Sequence, residues 1–271
     1  MRKKLIPVYI VLVLACLFMI FPYIWMVITS FKTMGEISAL PPTFFPRNST
    51  LGNYKILFTK LPYTRLLLNT IFSTIARITA QILLCSMAAY AFAKIKFPGK
   101  KIIFTLILSV MMVPGQIHMI PQYKIIAALK MTNSMGALII TALASAFGIF
   151  LLRQFFTTLP DELIESAKID GCTHPRIFFS IALPLVGPAL VTLGIFVILW
   201  TWNDLMWPLI VNTSLERMPL SAGLAILAFG EYGTQNNILM AGATAATIPI
   251  LIVFITLQKY YVEGIKLSGL K

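Results

Sequence analysis

Long runs of apolar residues, at about 5–29, 66–93, 102–120, 136–152, 185–202 and 239–257, alternate along the chain with short polar stretches. Coiled into helices, such runs suit roughly 30 Å of hydrocarbon. The pattern predicts an all-α membrane protein with six transmembrane helices. Arg2-Lys3-Lys4 precede the first run, as in a secretory signal. That run continues through Phe21, Tyr23 and Trp25 with no small-residue cleavage site behind a short core, so it reads as a retained helix. Two shorter runs, 205–211 and 220–230, are too short to span and are expected to lie at the interface or re-enter.

The polar stretch at 159–184 differs from the others because it concentrates four acids, Asp161, Glu162, Glu165 and Asp170, and carries its own helix signals. Pro160 suits the first position of a helix, Asp161 and Glu162 favour its positive end, and Gly171 is placed to stop it with a left-handed turn. Thr173 can cap a second short helix with Pro175 in its first turn, and Pro184 is expected to end the unit where the fifth run begins. Two helices with a glycine corner follow. Small Ser166 and Ala167 would permit close approach of a partner, and Ile164, Ile177 and Phe178 would fill a groove on it. On spacing alone the stretch is either such a docking surface or an amphipathic linker.

Composition agrees with the run pattern. Of 271 residues 58% are hydrophobic and 11% charged, far more apolar than a soluble core requires. The formal charge of +13 is dispersed over short loops rather than gathered on a basic domain, which favours lipid headgroups and topology over nucleic acid. Cys16 and Cys85 lie in apolar runs and Cys172 in the polar stretch, with neither disulfide nor metal spacing. With the N-terminus inside, the inner segments hold 13 Lys and Arg and the longer outer loops hold 8, so both termini and the 159–184 stretch are expected in the cytoplasm. The loop with Lys32, Arg47, Lys55, Lys60 and Arg65 runs against this trend.

Glu165-Ser166-Ala167, Asp170-Gly171-Cys172 and then Ile181 with Leu183-Pro184 resemble the EAA loop of permease subunits in bacterial ABC importers. Nine residues separate Gly171 from Ile181, as that pattern asks, and Ser166 and Cys172 replace its alanines with other small residues. Further stretches resemble the carbohydrate-importer permeases similar to the second maltose-transporter permease. They include Ser30-Phe31-Lys32-Thr33, Thr50-Leu51 with Asn53-Tyr54, Ala88 to Ala93 followed by Phe97-Pro98-Gly99, Trp202-Asn203-Asp204, and Gln258-Lys259-Tyr260-Tyr261. The resemblance implies a first helix and outer loop at 1–65, a five-helix permease domain at 66–271, and a multi-pass protein of the bacterial cytoplasmic (inner) membrane. It implies a cytoplasmic ABC ATPase dimer, a second homologous permease subunit, an extracytoplasmic solute-binding protein and a sugar substrate as partners, beside membrane lipid. ATPase coupling would then fall to Glu165, Ser166, Ala167, Asp170, Gly171, Cys172, Ile181, Leu183 and Pro184, and the tail from Glu263 to Lys271 would reach toward the ATPase. The chain has no phosphate-binding glycine loop of its own, so it is expected to be no enzyme and to need no cofactor or metal.

The solute pathway is less legible. Sugars present apolar ring faces and hydroxyl edges, which suits Trp200, Trp202, Asn203, Asp204 and Trp207, followed by Glu231, Tyr232 and Gln235. The same tryptophans suit an interfacial aromatic belt. Arg77, the formal charge inside a run, is expected to face the permease interior or to snorkel outward. His118 is read as a hydrogen-bonded packing residue and His174 as a solvated loop residue. An ion-coupled secondary transporter or channel subunit is the alternative, but it would be expected to place acids at mid-membrane, where these runs hold no Asp or Glu.

Overall fold

The computed structural model describes residues 6–229 and 235–269, the last of these, 259–269, by backbone alone. Arg2-Lys3-Lys4, Glu231 and Tyr232 lie outside the described residues, as do the side chains of Lys259-Tyr260-Tyr261 and of the Glu263–Lys271 tail. All regular elements among the described residues are helical. The chain divides into two compact units, Met1–Thr64 with Gly223–Ile252, and Arg65–Ala222 with Val253–Lys271.

The first unit contains α1 (Ile6–Ser30), α2 (Met34–Ser38) and α3 (Gly52–Lys60). α1 is apolar all round and buries no side chain before Thr29, a surface made for acyl chains or another membrane protein rather than water. Past its end the chain is tied by polar groups. The Asn53 amide donates to the carbonyls of Ser30 (2.7 Å) and Lys32 (2.9 Å), and its oxygen accepts from Asn237 (2.7 Å). Tyr54 and Ser30 share a hydroxyl hydrogen bond of 2.8 Å. Thr33 and Glu36 form a reciprocal cap on α2, and the Glu36 carboxylate also accepts the amides of Arg47 (2.7 Å) and Asn48 (2.8 Å). These bonds, that from Asn48 first, hold the Glu36 carboxyl below the ordinary range.

The second unit is built on α4 (Tyr63–Lys94). Phe97-Pro98-Gly99, with Gly99 at φ +75°, then turns the chain into α5 (Lys100–Val110). A 3₁₀ turn at Gly115–His118 leads to α6 (Met119–Ala128), followed by α7 (Met135–Ile140) and α8 (Ala146–Thr158). α9 (Asp161–Ile169) and α10 (His174–Ile177) form the polar stretch. α10 continues through a π-type turn, Phe178–Ala182, into α11 (Leu183–Leu185), then α12 (Gly187–Trp202) and α13 (Met206–Val211). α14 (Leu220–Phe229) and α15 (Asn236–Gly269) complete the chain.

Among the described residues three helices are long and apolar enough to cross a membrane, α1, α4 and the Asn236–Gln258 part of α15, and two bent pairs raise the number to five. The run at 102–120 is bent by 96° at Pro114-Gly115, and the fifth run meets the polar stretch at a 78° bend. The run at 136–152 is not one helix but two, α7 and α8, separated at 141–145. Non-helical backbone at that depth must find partners inside the protein. α4 supplies them from Arg77, Gln81 and Cys85, four residues apart and therefore on one face. Arg77 takes the Leu138 carbonyl (3.0 and 2.7 Å), Gln81 the Ala142 carbonyl (2.9 Å) and the Ser145 hydroxyl (2.9 Å), and Cys85 Sγ accepts the Ser145 amide (3.4 Å). Thr70, Ser73, Thr74, Arg77 and Gln81 are all buried while Leu68, Phe72 and Ile75 are exposed, so α4 turns its polar side inward and its apolar side outward.

Candidate functional site

The polar stretch folds as its local signals dictate, with differences that decide which residues face outward. Pro160 stands just before α9, at φ −57° and ψ 135°, rather than inside it. Asp170 closes the helix, and the Gly171 and Cys172 amides bond back to Lys168 (3.0 Å) and Ala167 (2.9 Å). Those bonds require the left-handed corner that Gly171 adopts at φ +77°. A Cβ at Gly171 would meet nothing within 4 Å, so glycine is needed there for conformation and not for room. Pro184 does not end the unit. It is the second residue of α11, directly after the π-type turn in a continuous helical run, and the break falls at Val186.

Burial corrects the expected docking face. Ile164, Ile177 and Phe178 are buried in the chain's own core with Tyr90, Leu152, Phe156 and Ala182, so they root the two helices instead of filling a partner's groove. Ala167 is buried in the same core, and half-buried Cys172, Ile181 and Leu183 pack against it. Smallness at Ala167 serves close approach within this chain. Glu165, Ser166, Asp170 and Gly171 face outward, as does Pro184.

Two apolar side chains that sequence reasoning passed over complete the outward surface, Ile169 at 86% exposure and Leu163 at 42%. Ile169 lies roughly 140° round the helix from Ile164 at about 100° per residue, off the buried stripe. That offset was the signal available in the sequence. The surface therefore presents carboxylates beside two aliphatic groups, Ile169 the more exposed, on a rigidly rooted helix.

The root is α4. The Tyr90 ring packs on Phe156 and Phe178, and its hydroxyl lies 3.1 Å from His174 Nδ1, so His174 is half-buried against Tyr90 and not a solvated loop residue. Lys94, its side chain only 5% exposed, donates to the Leu159 carbonyl (2.6 Å) and to Asp161 (2.5 Å) at the start of α9. This hydrogen bond, with the attraction of the same ammonium, holds the Asp161 carboxyl below its ordinary value of 3.8. The stabilisation is present above that ordinary value and is lost as pH falls through the lowered one. Asp161→Asn is expected to lower amide-exchange protection across 161–169 at pH 7, a difference that closes once acid has protonated the parent carboxyl. Equal protection of parent and variant at pH 7 would show that Lys94 does not hold the loop.

At the other candidate cluster the structure brings together two of the four residues singled out. Arg77 is buried and its guanidinium donates twice to one Asp204 carboxylate oxygen, each at 3.0 Å. Asn203 is exposed and caps its own helix on the Leu199 carbonyl (2.8 Å), while half-buried Trp202 lies in the last turn of α12. Trp207 is buried and donates its indole N–H to the Ala137 carbonyl (3.2 Å), and Trp200 packs edge-on against Phe147 and at a tilt against Phe196. Trp200 and Trp207 thus go to separate partners. His118, expected to pack, is exposed at the start of α6, because Pro114 bends the chain ahead of it.

Residues 81–267 match the family described as binding-protein-dependent transport system inner membrane component. The chain is 35% identical over 255 residues to the arabinooligosaccharides transport system permease protein AraQ of Halalkalibacterium halodurans, covering 93% of this chain and 91% of the relative. It is 31% identical to the sn-glycerol-3-phosphate transport system permease protein UgpE of Pectobacterium atrosepticum, over 95% of this chain and 94% of the relative. Among solved structures, a chain of a bacterial ABC transporter involved in the import of the acidic polysaccharide alginate shares the fold. The TM-score is 0.83 at 22% identity, over 96% of this chain and 97% of that one.

Proposed function

This chain belongs to the family of binding-protein-dependent transport system inner membrane components, and from that premise we propose that it forms half of the solute pathway of an ATP-driven importer of oligosaccharides. The ATPase that it serves is a separate cytoplasmic dimer, the other half of the pathway is a second, homologous permease, and solute arrives on an extracytoplasmic binding protein. Both termini and the 159–184 loop lie in the cytoplasm in this reading, and residues 66–271 form the permease domain proper.

The outward face of α9 supports the coupling role. Its buried side is fused to the core through Ile164, Ala167, Ile177 and Phe178, so a push on Glu165, Ile169 or Asp170 moves α4, α8 and α12 as a body. Ile169 is the apolar anchor that a cleft on the ATPase would cover, and the carboxylates around it would meet cations on the cleft rim. A rigid loop with an exposed anchor transmits motion; a slack linker would not.

The substrate class rests on the AraQ relative, and transport by the assembled complex tests it. Proteoliposomes holding this chain with its permease, ATPase and binding-protein partners are expected to accumulate a labelled arabino-oligosaccharide only when ATP is enclosed on the ATPase side. Accumulation of glycerol phosphate in place of any saccharide would move the assignment to the class named for the UgpE relative. Uptake driven by a proton gradient without ATP would overturn the importer reading itself.

A further inference from the structure

The turn between α4 and α5 forms an open surface groove of about 520 Å³ lined by Lys96, Phe97, Gly99, Lys100, Lys101 and Ile102. We propose that it binds the phosphodiester headgroup of an anionic phospholipid, with an acyl chain lying along α5. Three lysines line this groove, and the nearby acid, Asp161, bonds to Lys94 and attracts Lys96 and Lys100 only at longer range. Lys100 donates to the Ala93 (3.3 Å) and Ile95 (3.0 Å) carbonyls, which holds it over the end of α4. Lys96 and Lys101 are exposed, and their ammonium groups make no hydrogen bond or ion pair among the described residues. Arg153 is committed elsewhere, over the Phe104 ring at 4.3 Å and to the Phe92 carbonyl at 3.2 Å. An anion entering this groove would be attracted by the ammonium groups of all three lysines.

The apolar surroundings favour a lipid over a soluble anion or a protein. From the groove wall, Ile102, Leu106 and Val110 form an exposed stripe at four-residue spacing, at 69%, 61% and 55% exposure. The stripe runs roughly 12 Å along the helix, away from the charged end, as an acyl chain beneath its headgroup would. The groove therefore sits where polar surface gives way to hydrocarbon-facing surface. A choline headgroup would bring a positive charge back among the lysines, so a net negative headgroup such as phosphatidylglycerol is preferred. The site does not depend on how the 159–184 loop meets an ATPase.

Native mass spectrometry of the intact complex released from nanodiscs of mixed phosphatidylcholine and phosphatidylglycerol tests this. The parent is expected to retain phosphatidylglycerol selectively. Lys96→Gln with Lys101→Gln is expected to weaken that retention about ten-fold or more, consistent with the loss of two interfacial cations. Lys96→Arg with Lys101→Arg should keep it, as should Lys124→Gln on α6 with Lys130→Gln just past that helix. Equal retention by the parent and the Gln double variant would overturn the proposal. So would loss of the ATPase from that variant with its lipid unchanged, which would reassign the lysines to a protein contact. Competition by glycerophosphoglycerol as strong as that by the intact lipid would overturn the acyl-chain placement.

Discussion

A Gly171→Pro permease is expected to insert and assemble in normal amount and to import nothing. At φ +77° the corner lies where a proline ring, held near about −65°, cannot go, and proline also removes the amide that bonds to Lys168. The α9–α10 angle is then lost, and with it the aim of Ile169 and Asp170, while no apolar run is altered. Gly171→Ala is the graded control: the methyl meets nothing, so it carries only the left-handed backbone cost of roughly 1 to 2 kcal/mol and should retain part of the uptake. Ile169→Asp, which leaves the corner intact, is expected to release the ATPase on detergent purification. Cysteines introduced at 166 or 169 should cross-link to the ATPase, whereas one at buried 167 should not. Full uptake by the Gly171→Pro protein, with ATPase retained by Ile169→Asp, would reduce the loop to a linker.

Asp204→Ala is expected to cost about 3 kcal/mol of stability, at the lower end for breaking a buried pair. The lower end applies because Asp204 keeps 22% of its side chain exposed and Arg77 retains the Leu138 carbonyl. Arg77→Leu should cost more, since it takes the cation from the Asp204 carboxylate and leaves the Leu138 carbonyl, at the edge of the α7–α8 break, only the long Thr141 hydroxyl contact (3.4 Å). Thermal unfolding of the purified complex reads both, and the double Arg77→Leu, Asp204→Ala protein should be less impaired than the sum of its singles. Singles that melt with the parent would show that the pair does not hold the break. A normally stable Arg77→Leu complex without uptake would assign the guanidinium to the solute instead.

The polar stretch was legible in detail because its determinants are local. Asp161 and Glu162 in the first turn and Gly171 at the corner act within a few residues of themselves, so adjacent residues suffice to place two short helices and the turn between them. Which side of α9 faced outward was not legible, because Ile164 and Ala167 are buried with Tyr90 of α4, Phe156 of α8 and Phe178 of the π-type turn. Arg77 stands out in the sequence as a charge within an apolar run, but its partners Leu138 and Asp204 are 61 and 127 residues away.

The sequence by itself determined that this protein is helical and membrane-embedded, where its apolar runs lie, and how the 159–184 loop turns, since helix propensity, capping and lipid solubility act over one turn or one run. Only the tertiary structure decided that the 136–152 run breaks. A continuous and a broken helix have the same hydropathy, and the break survives because Arg77, Gln81 and Cys85 of α4 satisfy backbone groups that hydrocarbon would leave unpaired.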